Sequence, residues 1–85
     1  MFKPVEMIFS SDLEGYLTPI KFRIDTEDGL IVVKVTNARL DLENQLPGSP
    51  IMDYKVNLVT NGIMKPGKIR FDGRRHIWSV ELKNR

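Results

Sequence analysis

The 85 residues carry 13 Lys and Arg against 11 Asp and Glu, for a net charge of +2, and 41% of them are hydrophobic. These proportions suit one small globular domain and argue against wholesale disorder, and so slight a charge does not by itself imply a polyanionic partner. Cysteine is missing, which excludes disulfides, thiolate metal sites and a cysteine nucleophile.

The opening MFKPVEMIFSSD lacks the long apolar segment and cleavage site of a signal peptide. No apolar run in the chain approaches the roughly 20 residues needed to cross a bilayer. The expectation is a cytoplasmic protein. Within that first stretch, Val5 to Ser10 alternates, with Val5, Met7 and Phe9 on one face. Asp12 to Gly15 then reads as a turn. The second run, Thr18 to Asp25, sets Ile20, Phe22 and Ile24 against Lys21, Arg23 and Asp25, the pattern of a strand with one buried and one wet face. A hairpin centred on Glu14-Gly15 pairs Phe9 with Ile20, Met7 with Phe22 and Val5 with Ile24.

Asp28-Gly29 is the next turn signal and precedes the longest strand-like run, Leu30 to Leu42. A two-residue loop at Asp28-Gly29 sets Ile24 opposite Val33 and Phe22 opposite Val35. The apolar set Ile31, Val33 and Val35 gives way to Ala38, Leu40 and Leu42, which has the opposite parity. A regular strand would turn the second set outward, so a bulge or bend near Thr36-Asn37 is expected to restore the facing. The segment Asp41 to Pro50 is the one long connection, with a short helical turn expected around Leu42 to Leu46.

The second half repeats this logic. Met52, Tyr54, Val56 and Leu58 alternate with polar residues, and Asn61-Gly62 is a strong two-residue hairpin signal. Pro66-Gly67 suggests an edge position or a bulge in the fifth strand. A two-residue loop at Asp72-Gly73 pairs Phe71 with Arg74 and Ile69 with His76, and turns Trp78, Val80 and Leu82 inward. The fold class expected is all-β: six antiparallel strands in two three-strand meanders, closed into a small SH3-like or partly open barrel that hides its sheet edges. A flat sheet covered by a dimer partner is the alternative architecture.

Little in the sequence points to catalysis. His76 is the single histidine, with no convincing carboxylate to orient it, and reads as a packed barrel-mouth residue rather than a general base. One histidine and no cysteine disfavour a transition-metal site. The acidic residues sit almost entirely in turns, where Asp bonds its own backbone, and no calcium-loop or phosphate-loop spacing is present. No catalytic residue, metal or cofactor is expected.

Two sets of surface residues remain. Ile8, Leu30, Val32, Val59, Met64 and Ile77 are apolar at outward positions and, if gathered, would form a protein interface or a homodimer contact, with Ile8 brought near Ile77 where the first and last strands close the barrel. Lys21, Arg23, Lys34, Lys68, Arg70, Arg74 and Arg75 are the candidate nucleic-acid face, but the aromatic residues that would stack on bases fall mostly inward. Protein binding or self-association is therefore the first expectation and nucleic-acid binding the second.

The run Gly15-Tyr16-Leu17-Thr18-Pro19-Ile20-Lys21-Phe22-Arg23 and the closing FDGRRHIWSVEL resemble recurrent features of small uncharacterised bacterial all-β proteins. In that group a glycine turn leads to a proline, a basic residue and a phenylalanine, and a turn precedes a tryptophan-bearing strand. The resemblance implies the six-strand barrel and brings no activity or site residues with it.

Overall fold

The computed structural model describes residues 1–81, which fold as a closed antiparallel barrel of six strands in sequential order. The strands are β1 (Phe2–Ser11), β2 (Leu17–Thr26), β3 (Gly29–Leu40), β4 (Ile51–Thr60), β5 (Ile63–Asp72) and β6 (Ile77–Glu81). A 3₁₀ turn, Leu42–Asn44, lies in the long connection between the two meanders. Pairing of Phe2–Val5 with Trp78–Glu81 closes the ring, so each sheet edge finds a partner. The core is Phe22, Val33, Val35, Tyr54, Val56, Ile69, Trp78 and Val80.

The bend expected in β3 is present. Thr36 opposes Asn57 and Arg39 opposes Lys55, so β3 spends one residue more than β4 between these pairs. Asn37 takes φ 53°, a left-handed conformation that Asn tolerates. Val33 and Val35 are buried before the bulge, and Ala38 and Leu40 pack against the same core after it. Leu42 does not continue this set. It is exposed, because β3 ends at Leu40 and the Asp41 carboxylate accepts a 2.7 Å hydrogen bond from Asn44 Nδ2 across the 3₁₀ turn.

The first hairpin differs from the expected one. Its loop has five residues, Asp12 to Tyr16, with Ser11 opposite Leu17. Asp12 Oδ1 accepts from the backbone N–H groups of Glu14 and Tyr16, both at 2.9 Å. An odd loop would by itself send Phe22 outward. A bulge restores the facing: Phe9 opposes Pro19 and Ile8 opposes Lys21, leaving Ile20 unpaired between them. Ile20 is therefore exposed and Pro19 fully buried in its stead. Proline suits a position beside a bulge, where no ladder N–H is required of it. Met7 does pair with Phe22, as expected.

Two other turns are displaced without loss of parity. The second loop is Glu27-Asp28, so Ile24 opposes Ile31 and Phe22 opposes Val33. The last loop has four residues, Gly73 to His76, with Phe71 opposite Trp78 and Ile69 opposite Val80. Asp72 forces this length: its Oδ1 accepts from the N–H groups of Arg74 and Arg75, and its carbonyl accepts from His76 N at 2.7 Å. Trp78 and Val80 are inward as expected; Leu82 lies outside the described residues.

The β4–β5 hairpin turns at Asn61-Gly62, both with positive φ, as a primed two-residue turn demands. Pro66 and Gly67 pair with Asn57 and Val56 without a register shift, so the expected bulge is absent there. Gly67 gives Leu58 room: a Cβ at position 67 would stand 2.6 Å from Leu58 Cδ1. Among the described residues β6 pairs with β5 from Ile69 onward.

Candidate functional site

Directly opposed residues of an antiparallel pair point to the same face, so the registers define which outward side chains are neighbours. One row crosses five strands of the outer wall: Ile8 opposite Lys21, Lys21 opposite Lys34, Lys34 opposite Val59, and Val59 opposite Met64. Val32 lies beside Arg23 in the next row, and Leu30 beside Asp25 beyond it. Ile8, Leu30, Val32 and Met64 are exposed and Val59 partly so. The structure thus brings five of the six candidate interface residues onto the wall of β1 to β5. Ile77 stands apart: the β1–β6 ladder ends at Val5 and Trp78, short of Ile8, and Ile77 opposes Asp72 instead.

Between β1 and β3 the wall dips into a depression of about 310 Å³ lined by Glu6, Ile8, Lys21, Arg23 and Val32. Arg23 is held there by both carboxylate oxygens of Glu6 at 3.0 Å. Lys21 and Lys34 have no carboxylate within ion-pairing distance among the described residues, and they face each other as like charges.

The candidate nucleic-acid residues do not form one face. In a ring of six, β2 and β5 are opposite strands, so Lys21 and Arg23 stand across the barrel from Lys68 and Arg70. Arg70 chelates Asp53 through Nε at 2.8 Å and Nη2 at 3.1 Å and lies over the Phe2 ring, 4.1 Å from its centroid. The Asp53 hydrogen bond raises its already high pKa. Arg75 Nε donates to Asp72 Oδ2 at 2.9 Å, a bond that holds the Asp72 carboxyl below its ordinary range. Arg74 is exposed in the last turn.

A two-residue last loop would set His76 beside Ile69 on the inner side. It sits instead in the last turn, exposed at φ 59°, with its ring 6.3 Å from that of Phe71. The four-residue loop carries it out of the strand. Asp72, the carboxylate nearest it in sequence, is committed to Arg74 and Arg75. Phe71 also contacts Trp78, which Phe9 and Tyr54 enclose from other strands with ring centroids at 5.3 and 5.7 Å. Burial raises the pKa of Tyr54, and its hydroxyl donates to the Leu17 carbonyl at 3.0 Å. Tyr54 and Trp78 are packed core with Phe71 against them, whereas Phe9, expected on the inner face, caps Trp78 from the surface and stays 44% exposed.

Arg39 and Lys55 escaped the sequence reading. They oppose each other, and Lys55 opposes Lys68, so three cations line up on β3, β4 and β5. The signal was present but indirect: the bulge at Asn37 decides that Arg39 points outward. Among the described residues no group of three His, Cys, Asp or Glu is placed to hold a metal ion, and no helix is long and apolar enough to cross a membrane. Comparison of the chain with protein-family models, with curated proteins and with solved structures returns no match.

Proposed function

We propose that the protein is a non-enzymatic, SH3-like binding module whose β1–β5 wall takes a segment of another protein, one carrying carboxylates among apolar side chains. The single observation behind this reading is the row Ile8, Lys21, Lys34, Val59, Met64, with two lysines that have no carboxylate partner among the described residues held side by side between exposed Ile8 and partly exposed Val59. Opposed like charges destabilise a sheet, and an acidic partner would relieve them. Apolar flanks supply the area that a purely ionic surface lacks.

The same charges argue against a two-fold dimer through this wall. An isologous contact pairs the patch with its own copy, so it brings no net negative charge to Lys21 and Lys34. The nucleic-acid reading has less support, because three of its seven cations already hold carboxylates and the set is divided between opposite strands.

Selection from a random peptide display library tests the proposal. Wild-type protein should enrich peptides that combine two carboxylates with apolar residues, and Lys21→Glu/Lys34→Glu, which keeps a like-charge pair, should lose that enrichment while melting at an unchanged temperature. Enrichment that survives the charge reversal would refute the assignment to this wall. Light scattering at low salt should give a monomer; a dimer abolished by Val32→Asp would replace the acidic partner with a second copy.

A further inference from the structure

A second cationic row lies on a different part of the outer surface. Arg39, Lys55 and Lys68 occupy directly opposed positions on three adjacent strands, and all three are exposed. Sheets ordinarily alternate charge at such positions, since like charges directly across from one another repel. The carboxylates that could neutralise this row belong to the next one. Asp41 is 4% exposed, and its Oδ2 is taken by Asn44 Nδ2; its Oδ1 lies 4.0 Å from Lys55 Nζ and accepts no hydrogen bond among the described residues. Asp53 is chelated by Arg70. Neither Arg39 nor Lys68 has a carboxylate within ion-pairing distance among the described residues.

The row borders a depression of about 340 Å³. Arg39, Lys55, Asn57 and Lys68 supply its polar lining, Pro66 and Gly67 contribute from β5, and Glu81 is its one carboxylate among the described residues. We infer that this depression binds a small, multiply charged oxyanion of the phosphate or sulfate class. A guanidinium offers a planar fork that matches two oxygens of such a group, and the two ammonium groups act as strong point charges beside it. The Asn57 amide is a neutral donor in the same depression. The volume exceeds that of one tetrahedral oxyanion, so a diphosphate or a phosphorylated small molecule fits better than a lone phosphate. Glu81 repels anionic extensions on the β6 side, which confines the charge to the β3–β5 side. The site is independent of the β1–β5 wall: none of its three cations belongs to the row proposed to bind a peptide.

Inorganic pyrophosphate, titrated at constant ionic strength and followed by amide and side-chain NMR shifts, tests the inference. The expected result is a saturable change at Arg39, Lys55, Asn57 and Lys68, weakened at least tenfold in Lys55→Gln/Lys68→Gln and unaffected by Lys21→Gln/Lys34→Gln. Shifts of equal size at Lys21 and Lys34, or shifts that never saturate, would overturn it. Without anion, Arg39→Gln should melt at the wild-type temperature or above it, because it relieves repulsion across the row. A fall in its melting temperature would mean that a neighbouring carboxylate already balances Arg39, and the site would be lost with it. A single-stranded oligonucleotide should bind no more tightly per phosphate than pyrophosphate; tighter binding would overturn the small-anion assignment.

Discussion

The hairpins β1–β2 and β4–β5 join strands of equal length and solve the same problem in different ways. In β4–β5 an unbroken ladder runs from Ile51 opposite Asp72 to Thr60 opposite Ile63, closed by the primed turn at Asn61-Gly62. In β1–β2 a five-residue loop sets the wrong facing and the bulge at Ile20 corrects it. Both hairpins end with the same alternate positions turned to the core. What the barrel requires is parity, and an odd loop and a single-residue bulge cancel. The cost of the second solution is local: Pro19 enters the core, and Ile20 leaves it.

The two hairpins meet at Trp78. Phe9 reaches it from β1, Tyr54 from β4 and Phe71 from β5. Trp78→Ala removes the side chain that ties both hairpins to β6, and should cost about 3–5 kcal/mol in urea melts, the usual penalty for truncating a large buried aromatic. A near-neutral result would mean that the hairpins do not share this core.

Deleting Ile20 separates the two solutions directly. Without it, Pro19 remains opposite Phe9 and Lys21 opposite Ile8, and the strand alternates regularly through Phe22. The deletion should therefore leave a folded barrel, at a cost of about 1 kcal/mol or roughly 4–8 °C in Tm. If Ile20 instead belonged to the core opposite Phe9, its removal would reverse every later residue of β2 and abolish cooperative melting.

These cases also explain which features a reader of the chain can recover. The bulge in β3 is legible because the apolar set changes parity within one strand, from Val35 to Ala38. The bulge in β2 is hidden because Ile20 is itself apolar and completes an alternating run with Phe22 and Ile24. Loop lengths are hidden for a related reason. Moving the second loop by one residue, or lengthening the last from two residues to four, preserves the facing of each residue that stays in a strand and expels only His76, so the core of Val33, Ile69, Trp78 and Val80 is legible while the pairs are not. Surface sites suffer most from this. Whether Lys21 faces Lys34, or Arg39 faces Lys55, depends on absolute register, which rests on details such as the hydrogen bonds of Asp72 and the left-handed Asn37.

The loop that joins the two meanders offers the smallest effect and the finest test. The Asp41 carboxyl is held below its ordinary range chiefly by the Asn44 side-chain hydrogen bond; burial opposes the shift, and Lys55 and Lys68 reinforce it. A carboxylate whose pKa is lower in the folded than in the unfolded chain adds stability above its unfolded value, near about pH 4, and that stability is lost as pH falls through the folded value. Asp72 follows the same rule through Arg75 in the last turn. Melting temperature should therefore drop on the acid side below about pH 4. Asn44→Ala should lie below wild type at neutral pH and converge with it in acid, because both proteins then carry a protonated Asp41. A gap that stays constant down the acid limb would show that Asn44 supports the 3₁₀ turn by its packing and not through the charge of Asp41. The connection between the meanders would then be held, unlike the turn at Asp72, by shape alone.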